Sequence, residues 1–476
     1  MNTVEYCHTQ IKSWIDLQYA NNDSSQGGMD GKYFDRISKT FPYYGILECY
    51  RSLGKHFVPS IVVHSLAEIY EGLRNQHIET QYSVNDILGY DAHKLLMDFL
   101  AGCLDKHLNV YEYKSYIGMP VFLDNSLPHR SNFVSAMNSR IGLLKALLYD
   151  DYAFGARSFL GKEPHTQDRR NDLIIIQRTA NIMRTLVALD NLLGSVGPAN
   201  PDERAALRLL EDCHRGTVSR DSISRGLTII EILYKSVTYE FLSPINLLLD
   251  LSMLPVFVNH EEYNFIRMLQ VFEVIFNIVI MGLQNIINCI YDNRVRQASY
   301  YLNVLCTLFK IDVHLFRILK TMPREDFHIF RQYTEGASAI QSPQYKMIEV
   351  LIGKPTSTRR ESPAFQYVPE IRVFLERSGL SLEQVLKERY PQNGYGIDTG
   401  AITSPDDLEL LQNINLLDNA ILSWKKRHFG IASHMIGEIK GTGDTDGIGY
   451  LAKFKGELFF PSLDFSLRDQ NLAATN

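Results

Sequence analysis

The run Val271–Ile290, VFEVIFNIVIMGLQNIINCI, constrains the fold more than any other stretch of this chain. It is long enough to suggest a membrane span. It also carries Glu273, Asn277, Gln284, Asn285 and Asn288, side chains that are expensive in lipid. The reading that accommodates both features is a helix buried in a bundle. Counting from Glu262, Phe265, Leu269, Phe272, Phe276, Ile280, Leu283 and Ile287 form a stripe at i, i+4 and i+7 spacing, so the predicted helix begins upstream of the apolar run. The chain has 476 residues, enough for two or three domains.

Composition narrows the partners. Hydrophobic residues make up 45 % and charged residues 21 %, an ordinary balance for a soluble protein. The net charge of −6 leaves no basic footprint for nucleic acid and no polybasic patch for a membrane surface. Cys7, Cys49, Cys103, Cys213, Cys289 and Cys306 are scattered without a CxxC pair and read as reduced thiols, which implies a cytoplasmic location. The opening residues, MNTVEYCHTQIKSW, have neither the basic nor the apolar region of a signal peptide.

A second stretch, WKKRHFGIASHMIGEIKGTGDTDG from Trp424 to Gly447, carries the chemistry. Trp424, His428, Ile431, Ala432, Met435 and Ile436 recur on one helical face, while Lys425, Lys426 and Arg427 fall off it toward water. Gly437 is a stop signal. A histidine in such a stripe is ordinarily a satisfied core residue. A neutral imidazole there can also ligate a metal or haem iron. The stretch resembles the haem-binding segment of tryptophan 2,3-dioxygenases, W-R-x-x-H followed by M-I-G and G-T-G-G-S-S-G. The corresponding residues here are Trp424 to His428, Met435-Ile436-Gly437 and Gly441 to Gly447. The resemblance implies that His428 is the proximal ligand of a haem b, that Trp424, Gly441 and Gly443 help hold the cofactor, and that Thr442 contacts a substrate ammonium group. Asp444 and Asp446 stand where the family has small residues.

A third stretch matches the same family. Asp326 to Arg331 ends a helix with Phe327 and Arg331 on one face. Gly336 to Ala339 and then IQSPQYKMIE follow, against the family's F-R, S-G-F-Q-S-x-Q-Y-R-x-I-E. By resemblance Arg331 clamps the substrate carboxylate, which suits a planar fork in a dry site. Phe327 then packs on the substrate ring and Ser338 lines the pocket. Upstream, the family has a phenylalanine followed four residues later by a distal histidine; here these are Phe265 and Leu269. A rival register puts His64 of IVVHSLAEI in the distal place, at the cost of an insertion of about two hundred residues.

Residues 1–230 read as a helical domain of unnamed role, with loops near 21–31, 118–130 and 161–172, and 231–476 as the dioxygenase-like haem domain. The boundary falls between Asn200 and Lys235, ahead of VTYEFL, which is similar to the family's opening L-T-Y-x-x-Y-L. A loop over 354–372, one helix over 373–391 and a turn region over 392–404 precede the helix 405–436. The expected fold is all-α. The expected activity is oxygenation, with O2, of L-tryptophan or a tryptophan- or indole-like aromatic amino acid in a biosynthetic setting, by a homo-oligomer (dimer or tetramer). Two alternatives stay open: a non-catalytic haem protein whose N-terminal domain is an interaction module, and a helical scaffold without haem in which His428 is a core residue.

Overall fold

In the structure, a computed structural model, the described residues are 2–22, 31–74, 92–105, 133–160, 169–193, 249–257, 260–334, 342–366, 368, 370–393, 396–437, 439 and 447–460. In chain order the helices are α1 (Thr3–Asn22), α2 (Gly31–Thr40), α3 (Tyr43–Leu53), α4 (Ser60–Arg74), α5 (Ala92–Leu104), α6 (Phe133–Leu160), α7 (Arg169–Leu193) and α8 (His260–Tyr291). They continue with α9 (Val295–Leu319), α10 (Arg324–Arg331), α11 (Pro343–Ile352), α12 (Ser357–Arg360), α13 (Pro363–Gln366), α14 (Glu370–Arg377), α15 (Leu382–Arg389), α16 (Pro405–Ile436) and α17 (Ile448–Phe454). The only sheet among the described residues is a pair of two-residue antiparallel strands, with Gln392 opposite Ile397 and Asn393 opposite Gly396. The fold is all-α, as expected from the sequence.

The long apolar run is a core helix. In α8, 94 % of the most apolar window is buried inside the protein. Of its five polar residues, Glu273 and Asn277 are buried and the other three lie along one edge. Gln284 and Asn288 are exposed and Asn285 is half-buried, which gives the helix a narrow wet edge at i, i+1 and i+4. The Asn285 amide donates to the Met281 carbonyl at 2.8 Å. At the start of α8 the buried Glu262 carboxylate accepts the backbone N–H groups of Val256 and Phe257 at 2.7 and 2.9 Å. Charge-assisted bonds of that kind are each worth about 1.5–3 kcal/mol. One turn on, the buried Arg267 guanidinium donates to the Leu249 carbonyl, the Ser252 hydroxyl and the Gln270 side chain.

The chain divides into two compact units. The first holds Met1–Arg130, Tyr234–Val271 and Met322–Ser338; the second holds Ser131–Leu233, Phe272–Thr321 and Ala339–Asn476. Each unit takes segments from both sides of residue 230; the expected boundary itself lies in 194–248, outside the described residues.

In the first unit α4 buries Val62, Val63, Leu66, Ile69 and Leu73, and the rings of Trp14, Phe41, Tyr43 and Phe99 pack edge to face at 5.0–5.2 Å between successive partners. In the second unit α9 packs against both α16 and α7, and α6 packs against α7. Arg178 of α7 donates to the Thr321 hydroxyl at 3.0 Å, just past the end of α9. Gly282 on α8 leaves room for the Leu305 side chain of α9, since a Cβ there would stand 2.7 Å from it.

Two details differ from expectation. The stretch 373–391 is not one helix. Gly379 separates α14 from α15, and Ser381 starts α15 with a reciprocal capping box to Gln384. The stretch 354–372 contains α12, capped by Thr356, and the short α13. The five described cysteines, Cys7, Cys49, Cys103, Cys289 and Cys306, are free and buried.

Candidate functional site

In the second unit the site is built on α16. Ser404 caps the helix by accepting from the Asp407 N–H, Pro405 occupies its first turn, and Gly437, with φ of 61°, ends it. The expected bounds 405–436 therefore hold. Trp424 and His428, one turn apart, stack at 5.2 Å with planes 29° apart. Behind Trp424 lies Tyr345 of α11, stacked at 5.2 Å. Phe276 and Phe272 of α8 meet the indole edge-on at 5.4 and 6.3 Å, and Phe316 of α9 tilts against it at 6.1 Å. Such aromatic pairs are each worth about 0.5–1.5 kcal/mol beyond the area they bury. The packing fixes the rotamer of Trp424 and thereby the surface on which His428 lies.

Burial lowers the pKa of His428 to about 4, so the imidazole is neutral at physiological pH. The residue as a whole is half-buried. A neutral imidazole enclosed by protein is the state required of a nitrogen ligand. The buried indole Nε1 of Trp424 has no hydrogen-bond partner among the described residues. Unfolded histidine protonates near 6.5, so between pH 6.5 and 4 the unfolded chain holds the extra proton. The haem-free protein is therefore expected to lose stability as pH falls through that window, by up to about 3 kcal/mol, and His428→Gln should flatten the dependence. Thermal denaturation at pH 7 and pH 4.5 measures it.

The basic run departs from its expected exposure. Lys426 faces water, but Lys425 and Arg427 are half-buried. Lys425 donates to the Glu457 carbonyl at 2.9 Å and lies 4.1 Å over the Phe459 ring. Arg427 pairs with the buried Asp312 of α9 at 2.8 Å. Burial raises Asp312 to about 7 despite that cation. Long stems let these heads leave the polar side of the helix and reach partners beside it. Sequence periodicity assigns a face, not a side chain's reach.

In the first unit the start of α8 carries Phe265 and Leu269, and α10 carries Phe327 and Arg331. Phe265 meets Phe327 at 5.8 Å and the fully buried Phe330 at 5.4 Å. Leu269, 8 % exposed, joins Met253, Val256 and Ile266 in a core cluster against which Phe265 and Tyr333 pack. Its surroundings are apolar, and leucine itself has no hydrogen bond to offer. Arg331 is the last residue of α10 and is half-buried, and desolvation lowers its pKa. The Thr334 hydroxyl and N–H both donate to the Arg331 carbonyl, at 2.8 and 3.1 Å, closing the turn that follows. His64, the rival for the distal place, is exposed on α4. Ser338, Gly441, Thr442, Gly443, Asp444 and Asp446 lie outside the described residues.

A family model described as tryptophan 2,3-dioxygenase matches residues 252–375. The C-terminal half of this chain matches the tryptophan 2,3-dioxygenase family. Tryptophan 2,3-dioxygenases of Polaromonas naphthalenivorans and Bordetella pertussis are 27 % and 24 % identical to it over 237 and 235 residues, each match covering 44 % of this chain and 83 % of the relative. That of Geobacillus thermodenitrificans is 24 % identical over 233 residues, covering 43 % and 82 %. The family model spans Phe265, Leu269, Phe327 and Arg331; His428 lies beyond its end. No spacing in the sequence marks the ring cage of Phe272, Phe276, Phe316 and Tyr345 around Trp424, or the Asp312–Arg427 pair. Tyr345 falls in the IQSPQY run that resembles the dioxygenases.

Proposed function

We propose that this chain is a haem-dependent oxygenase of L-tryptophan or a tryptophan-like aromatic amino acid. The observation that carries the proposal is the neutral, enclosed imidazole of His428 on its aromatic bed, inside a sequence that matches tryptophan 2,3-dioxygenases. His428 would hold the haem b iron through one ring nitrogen. When bound, haem supplies the activation of O2. Everything else is positioning. Trp424, pinned by Tyr345, Phe272, Phe276 and Phe316, holds the imidazole plane. Arg331 fixes the substrate carboxylate with paired charge-assisted bonds, and Thr442 its ammonium group. Phe265 and Phe327 supply an aromatic wall for the ring. Holding the reacting carbon in place accounts for much of the rate in such a reaction.

Leu269 shapes the choice of substrate. With leucine in the family's distal histidine position, no imidazole receives the indole N–H there. That favours an indole whose nitrogen is substituted, or another aromatic with the same amino-acid head group. A cytoplasmic, homo-oligomeric enzyme is part of the same proposal.

The test is turnover by the haem-loaded, full-length protein under isotope-labelled O2. L-Tryptophan, indole-N-methylated tryptophan and L-tyrosine are offered, and the products are read by mass spectrometry. Two labelled atoms in a ring-opened product identify a dioxygenase, and one labelled atom identifies a hydroxylating relative. Haem binding with no product from any of the three would contradict the proposal in favour of a non-catalytic haem protein.

A further inference from the structure

The segment Arg51–Phe57, far outside the dioxygenase match, is fastened to the part of the first unit that carries Arg331. Gly54 has φ of +84°, and a Cβ on it would stand 2.8 Å from the Val256 carbonyl oxygen, so this approach needs glycine. It lets the Lys55 and His56 N–H groups donate to the Pro255 and Val256 carbonyls at 2.8 and 3.1 Å. Two side chains secure the segment. Arg51 bonds the Asp250 carbonyl and carboxylate at 2.6 and 3.0 Å. Lys55 pairs with Asp105 at 3.0 Å, their side chains only 1 % and 8 % exposed.

With the backbone fixed, two rings of this segment reach the turn after Arg331. His56 lies 4.9 Å from Tyr333, and Phe57 lies 5.4 Å from Tyr333 and 5.9 Å from Phe257. Tyr333 and Phe257 stack at 5.0 Å with planes 2° apart. Tyr333 is two residues past Arg331, and its N–H donates to the Phe330 carbonyl at 2.9 Å. Arg331 ends its helix, so the orientation of its side chain depends on this short turn. A planar fork must meet both carboxylate oxygens at once, and small tilts lose one of the two bonds.

We propose that Gly54–Phe57 is a positioning segment in which His56 and Phe57, acting through Tyr333, set the orientation of Arg331 toward a substrate carboxylate. The inference rests on the role given to Arg331 above. It gives part of the N-terminal half a place in the reaction. Phe57 is 46 % exposed, so trimming it removes a ring contact at little cost to the core.

The experiment is a double-mutant cycle on the full-length, haem-loaded protein, with ligand affinity read from the haem absorption band. The ligands are L-tryptophan, indole-N-methylated tryptophan and L-tyrosine, with skatole as an indole lacking the head group. Phe57→Ala should weaken binding of the amino acid about tenfold, the size of coupling that contacting residues show. It should leave skatole binding and the unliganded band unchanged, and Phe57→Tyr should restore affinity. In the Arg331→Gln background Phe57→Ala should add nothing. Should Phe57→Ala fail to fold, His56→Gln carries the same cycle. Unchanged amino-acid affinity, an equal loss for skatole, or additive losses would overturn the positioning role alone. If Arg331→Gln changes nothing, the role given to Arg331 fails and the positioning role falls with it; if no amino acid moves the wild-type band, the amino-acid oxygenase reading fails as well.

Discussion

His428→Ala should purify without its haem. The imidazole is neutral because burial holds its pKa near 4, and it lies flat against Trp424. Removing it leaves the ring cage intact and takes away the imidazole nitrogen that would hold the iron. Substitutions of the groups that merely support a metal ligand cost about ten- to hundredfold in affinity, so loss of the ligand itself should exceed about a hundredfold. The fold should persist, because the position lies within a long helix and alanine is the best helix former. Haem content per chain and circular dichroism separate the two effects. A folded variant that keeps stoichiometric haem with an unshifted Soret band would mean that another residue is the ligand.

Arg331→Gln carries the second large effect. Arg331 is half-buried, and that burial lowers its pKa, so a carboxylate arriving there meets a cation that water screens poorly. Truncating one member of a buried charge pair costs about 2–5 kcal/mol. A central value of about 3–4 kcal/mol is a fall of roughly 10²–10³ in kcat/KM for an aromatic amino acid. The haem band and the affinity for skatole should not move. Equal losses for skatole and for the amino acids would show a damaged site rather than a lost clamp. Unchanged kinetics would remove Arg331 from the site altogether.

Much of this was legible in the sequence where local rules apply. The end of α16 follows from Gly437, a stop signal read in the sequence, and in the structure Ser404 and Pro405 set its start. The apolar run of α8 reads as a core helix because its five polar side chains are expensive in lipid, and in the structure Gln284, Asn285 and Asn288 line one edge while Glu273 and Asn277 are buried. The break at Gly379 was missed although Ser381 and Gln384 spell a capping box; periodicity on either side of a short interruption masks it. Lys425 and Arg427 were assigned to water because a helical wheel knows direction but not how far a stem bends.

The docking of Gly54–Phe57 on Pro255–Val256 was beyond reach for a different reason. About two hundred residues separate the partners, and backbone pairing leaves no side-chain pattern in either segment. The cage around Trp424 is similar, since its rings come from α8, α9 and α11 and share no common spacing.

The most direct measurement is the visible absorption of the purified, haem-reconstituted wild type, ferric and then ferrous with carbon monoxide, while L-tryptophan and its indole-N-methylated analogue are titrated in. The expected result is a Soret band of histidine-ligated haem that shifts saturably with at least one of the two amino acids. A chain that shows no Soret band after reconstitution would contradict the haem assignment of His428 and leave the dioxygenase-like half a fold without its chemistry.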